Sequence, residues 1–181
     1  MTWDLERYDW ARLRAQGSAE GVPRALTALA SASTEAEARD AYWRIDNTVV
    51  VQGALYEAAV ATAACAVVML HVCSAPGRPR LLELLVQLGS GEPAPSELQA
   101  GNADIQERCM MELLRGVSTY FHLLESGSNR EREHCVDLLG LCCGLDASLL
   151  PRTRWYFERL LASGMDEGGG QLVNNWLEEL R

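Results

Sequence analysis

An all-helical fold is what this sequence predicts, and three observations carry the prediction. The apolar set is lopsided: 27 Leu and 23 Ala stand against 12 Val, 2 Ile and 2 Phe, so strong helix formers abound and the best strand formers are scarce. Apolar residues recur at three- and four-residue steps through most of the chain. Helix punctuation separates these stretches, with proline near starts, glycine near ends, and Ser or Thr three residues before Glu. At 181 residues the chain can bury a core without disulfide or metal staples. Its 48% hydrophobic and 23% charged content excludes disorder of the whole.

The first helix is expected from about Leu5 to Ala15, ended by Gly17. The second, about Val22–Ala30, has Pro23 in its first turn, where a missing N–H costs nothing. Thr34 and Glu37 form a capping-box pattern that opens a third helix to about Asn47. The run Thr48–Gly53 is β-like but has no evident partner strand, so it reads as an inter-helix turn. The fourth helix, about Leu55–Cys73, is apolar nearly all round, the mark of a central helix. Pro76–Pro79 breaks the chain before a Leu-dense fifth helix, about Arg80–Leu88. Residues 89–102, rich in Gly, Pro and Ser, read as a long loop. A sixth, long helix is expected over Ala103–Glu125. A second capping box, Ser128 and Glu131, opens the seventh, which runs to Cys143 with Gly144 as its C-cap. Pro151 starts the eighth, ending near Ser163–Gly164. Gly164–Gly170 reads as an acidic flexible linker, and a short ninth helix covers about Gln171–Leu180.

Formal net charge is -9, and all 16 basic residues are Arg. Abundant Ala and Gly with no Lys is a composition typical of GC-rich bacterial genes. Such acidity disfavours nucleic acid and anionic membrane surfaces and favours a basic partner. The excess is uneven: residues 91–143 hold nine acids and four Arg, whereas residues 1–47 hold eight and six. Met1–Arg7 is charged from Asp4 and lacks an apolar core, so it does not read as an export signal, and a cytoplasmic location is expected. The six cysteines show no C-x-x-C pair and no zinc spacing with histidine. Cys65, Cys109, Cys135 and Cys142 sit in apolar helical patterns and read as reduced core residues. No P-loop, nucleophile elbow or dinucleotide glycine pattern is present. No catalytic residue, metal or cofactor is therefore expected.

Helices three and four, five and six, and seven and eight form successive hairpins, the first spanning about 40 residues. That is the HEAT or armadillo period, in which pairs stack to cover each other's apolar faces. The expected fold is thus an α-solenoid of about nine helices in stacked antiparallel pairs. Residues 1–163 would form one domain, with residues 164–181 as linker and capping helix. The runs Ala41–Asn47, Val51-Gln-Gly53, Leu55–Ala59, Arg80–Leu85, Gly101-Asn102 and Cys135–Gly140 resemble small bacterial HEAT-repeat-like proteins over roughly residues 1–160. These are helix-packing patterns, specific for fold and weak for activity. Some proteins of this kind lie beside polymorphic-toxin genes and look like immunity proteins, which bind and neutralise the toxin.

The expected function is therefore non-catalytic protein binding, most concretely by an immunity protein or antitoxin facing a basic toxin domain, with neither nucleic acid nor membrane as partner. The alternatives are a general helical-repeat scaffold or regulator and, more remotely, a bilin-lyase-like HEAT enzyme. The candidate binding residues are Trp43, Asp46, Tyr56 and Glu57, where aromatics meet carboxylates at the junction of helices three and four. With Arg44, Asn47 and Gln52, the same Asp46 and Glu57 also read as a buried hydrogen-bond and salt-bridge network holding the hairpin turn, and the two carboxylates as a catalytic pair. Asp104 and Glu107, three apart, add a small negative edge on helix six.

Overall fold

The computed structural model describes residues 3–181, among which ten α-helices, three 3-10 helices and one small sheet are present. The chain divides into two compact units, one ending at Arg115 and the other covering Gly116–Arg181. Among the described residues, no helix is long and apolar enough to cross a membrane.

In the first unit the expected opening helix is replaced by a 3-10 helix over Trp3–Arg7 and a series of turns. Tertiary hydrogen bonds override the local preference: Ala58 N–H donates to the Arg14 carbonyl at 3.0 Å, and Gln16 N–H to the Thr48 carbonyl at 2.8 Å. α1 (Val22–Ala30) and α2 (Glu35–Val49) pack together, as the spacing predicts. The Thr34 hydroxyl caps α2 by accepting from Glu37 N–H, while the Glu37 carboxylate reaches back one residue further than expected, to Ser33 N–H.

The β-like run forms a hairpin rather than a turn into the next helix. β1 (Val50–Val51) pairs antiparallel with β2 (Ala54–Leu55) across Gln52 and Gly53, at φ 51° and 81°. Two successive left-handed residues are what a tight type I′ turn requires. β2 then pairs in parallel with β3 (Glu92–Pro93). Gly91 allows this approach, because a Cβ there would lie 2.8 Å from the Leu55 side chain. Residues 89–102 are thus organised, containing β3 and the short helix α5 (Pro95–Gln99). α5 closes in a Schellman motif: Gly101, at φ 83°, donates to the Leu98 carbonyl and Asn102 to the Glu97 carbonyl.

α3 (Ala58–Met69) is the central helix that its apolar sequence predicts, buried over ten of its twelve residues. Its alanines let neighbours come close, and it packs on α4 (Arg78–Ser90) and α6 (Ile105–Leu114). The expected long sixth helix breaks at Arg115–Gly116, and α7 (Val117–Ser126) begins anew. Gly116 has no room for a side chain, since a Cβ there would run into the Tyr120 hydroxyl.

The second unit holds α7, α8 (Asn129–Leu145), α9 (Leu150–Ala162) and α10 (Glu167–Glu179) around Tyr120, Phe121, Leu138, Leu139 and Phe157. The Ser128–Glu131 capping box is complete, with Ser128 N–H donating to Glu131 Oε2 at 2.6 Å. Gly144 is not the C-cap; it lies inside α8, and Asp146 ends the helix and caps the 3-10 turn that follows. Gly168–Gly170 are not a flexible linker either. They form the first turn of α10, capped by Asp166, whose Oδ1 accepts from Gly169 N–H at 2.8 Å. α10 packs on α8 and α9. Its Trp176 ring covers Gly140, and the indole N–H donates to Asp137 at 2.8 Å.

Candidate functional site

The outward face of α2 presents Glu35, Arg39, Asp40, Trp43, Arg44 and Asn47 to solvent. Helical spacing decides which of them meet: Asp40 lies three residues before Trp43 and Asn47 four after it. Trp43 is 49% exposed, supported edge-on by the Tyr42 ring at 5.1 Å. An open hollow of about 340 Å³ between α1 and α2 is lined by Glu37, Asp40 and Arg44 beside three alanines. On this outward face two acids, Glu35 and Asp40, stand against two arginines, Arg39 and Arg44, so the indole lies among charges of both signs.

Asp46 is turned partly inward. It accepts a hydrogen bond from the Tyr42 hydroxyl at 3.2 Å, and Arg80 sits 5.8 Å from the Tyr42 ring centre. Burial raises the Asp46 carboxyl above its ordinary value, against the lowering effect of the Tyr42 bond. Burial likewise raises the Tyr42 phenol. Tyr56 is half-buried and donates to the Gln16 amide oxygen at 2.6 Å. No ring contact joins Tyr56 to Trp43, so the structure does not bring these two aromatics together as one stacked pair.

Glu57 belongs to a different arrangement, a polar knot that holds three distant segments. Its centre is Glu97 on α5, whose side chain is 1% exposed. Arg14 forks onto Glu97 through Nε and Nη2, at 3.0 and 2.9 Å to Oε2. The Asn102 amide donates to the same oxygen at 2.9 Å, and Glu57 N–H to Oε1 at 3.3 Å. Arg14 Nη1 also lies 3.3 Å from Glu57 Oε2. One guanidinium thus answers two carboxylates, and the charge of Glu57 is engaged within the fold. Asp104 and Glu107 are exposed on α6 and its N-cap, and Asp104 is loosely paired with Arg108 at 3.8 Å. No hydrogen bond or ion pair links either of them to Trp43 or to the knot.

Sequence reasoning missed Arg14, Glu97 and Asn102. Arg14 was placed on a helix that does not form, and the other two in a loop. One local signal was available: Pro95 followed six residues later by Gly101 is the asymmetry of a short helix with a proline start and a glycine end.

The six cysteines are buried, and burial pushes the Cys65, Cys109 and Cys142 thiols up to about 12. These three stay protonated at neutral pH. Among the described residues, no group of three or more His, Cys, Asp or Glu is placed to hold a metal ion. The chain matches no model of a known protein family, no curated protein and no solved structure.

Proposed function

We propose that the chain is a non-catalytic protein-binding module, most concretely an immunity protein that neutralises a basic bacterial toxin domain, with its helices stacked in HEAT-like pairs. The observation that carries this reading is Trp43, a large apolar ring half-exposed among charged residues on the outward face of α2. Indole rings ringed by charge are typical anchors of protein interfaces. The net charge of -9 would attract a basic partner and speed association. Asp40 and Trp43 are the residues of the face best placed to touch a partner. Asp46, Tyr56 and Glu57 support it from within, and Asp104 and Glu107 extend the negative surface.

The test is affinity capture from the natural host, followed by toxicity rescue. Tagged chain should recover one basic protein in near-stoichiometric yield. Expressing that protein alone should arrest growth, and co-expressing this chain should restore it. Trp43→Ala should abolish capture and rescue while leaving the melting temperature within a degree or two. Capture of housekeeping proteins only, with no toxic species among them, would replace the immunity reading with a scaffold or regulator.

A further inference from the structure

The second unit contains an open cleft of about 370 Å³ between the end of α7, the start of α8 and the outer face of α9. Leu124 and Leu160 form an apolar base, and Trp155, 57% exposed, forms a flat wall. The Tyr156 ring is fixed between Trp155 and Phe121, at centroid distances of 5.1 and 4.8 Å. The Tyr156 hydroxyl donates to Glu125 Oε1 at 2.7 Å.

Two arginines line the same cleft and neither is in an ion pair. Arg132 makes a single hydrogen bond, from Nη2 to the Glu125 carbonyl at 3.1 Å, and its covered Nε has no partner. Buried donors without acceptors are rare, because each forfeits its hydration for nothing in return. Arg159 is exposed at the rim, and among the described residues no carboxylate forms an ion pair with it. Against these two cations stands one anion, Glu125, already engaged by Tyr156. The lining therefore carries a net charge of about +1 in a chain of net charge -9.

We propose that this cleft binds a small aromatic monocarboxylate. The guanidinium groups would take the carboxylate, a planar acceptor that matches their donor geometry. The Trp155 face would take the aromatic body by stacking. A single negative charge balances the lining, whereas the second charge of a phosphate monoester would be left against Glu125. The volume lies at the small end of the ligand-pocket range of roughly 300–1,000 Å³, which suits a one- or two-ring acid. This inference is independent of the protein-binding reading, which rests on the first unit.

Titration calorimetry of the full chain with indole-3-propionate tests the proposal, with indole-3-propionamide and phenyl phosphate as comparators. The acid should bind saturably, the amide at least tenfold more weakly, and phenyl phosphate more weakly than the acid. Arg159→Gln and Arg132→Gln should each weaken the acid about fivefold or more and leave the amide unchanged; Trp155→Ala should weaken both. Arg159 and Trp155 are exposed, so their variants keep the test decisive even if Arg132→Gln unfolds. Equal binding of acid and amide, tighter binding of phenyl phosphate, no saturation by about 10 mM, or wild-type affinity in Arg159→Gln and Trp155→Ala would each overturn it.

Discussion

Arg14 and Glu57 touch the same two-carboxylate knot but differ in what their removal leaves behind. Without Arg14, the Glu97 carboxylate, 1% exposed, is left with only an amide and a backbone N–H to hold it. Arg14→Ala should therefore lower stability by about 2–3 kcal/mol in urea denaturation. Glu57→Ala removes the acceptor of the Arg14 backbone N–H at 3.2 Å and an ion pair at 3.3 Å, both at a partly wet site, and should cost about 1 kcal/mol. The reverse order would show that the fork onto Glu97 does not hold the knot. Asp46 gives a prediction with pH. Its carboxyl is raised above the ordinary 3.8 by burial, so the folded state binds that proton more tightly than the unfolded chain. The stabilisation from that proton is complete below about 3.8 and lost as pH rises through the folded value. Asp46→Asn keeps an acceptor for the Tyr42 hydroxyl without the charge. The variant should be more stable than the wild type at pH 7, and the gap should close in denaturation series run down toward pH 4.

At the scale of elements, what could be read in the sequence was what depends on neighbours three or four residues apart. α1, α2, α8 and α9 lie within a few residues of expectation because proline, Thr34, Ser128 and apolar periodicity act locally. The misses share one cause, a partner distant in sequence. Val50–Val51 needed Ala54–Leu55, and those in turn needed Glu92–Pro93. The hairpin turn itself was nearly legible in Gln52-Gly53, since glycine is the residue most at ease at left-handed φ. Gly140 likewise looked like an ordinary helix position until Trp176, 36 residues later, filled the space above it. Gly140→Ala should push the Trp176 ring off α8, break its bond to Asp137 and destabilise by about 1–3 kcal/mol. A thermal melt reads the loss, and unchanged Tm would mean that the α8–α10 contact contributes little.

For the molecule as a whole, composition alone forecast the helical class, because Leu and Ala set it residue by residue. The division at Arg115–Gly116 was hidden, since Ile105 through Leu124 carry one unbroken apolar rhythm. Only the tight fit of Gly116 against Tyr120 shows why the rhythm is interrupted. Of the candidate site, Trp43 and the charged residues around it were readable from type and spacing. The engagement of Glu57 was not, because Arg14 and Glu97 are 43 and 40 residues away from it in sequence. The net charge of -9 also makes a prediction at this scale. Affinity for the captured basic partner should fall at least tenfold between about 50 and 500 mM salt, measured by surface binding kinetics, with most of the change in the association rate. A salt-insensitive affinity would remove electrostatic steering from the account.

The knot around Glu97 has a consequence for how the chain is made. A ribosome delivers Arg14 early and Glu97 late, 83 positions further along the chain. Until the stretch holding β3 and α5 has emerged, Arg14 has no fork to grip, Ala54–Leu55 has no parallel neighbour, and the hairpin edge stands open. One short segment then supplies all of these at once. A nascent chain stalled short of residue 97 is therefore expected to expose the open strand edge that chaperones and proteases recognise.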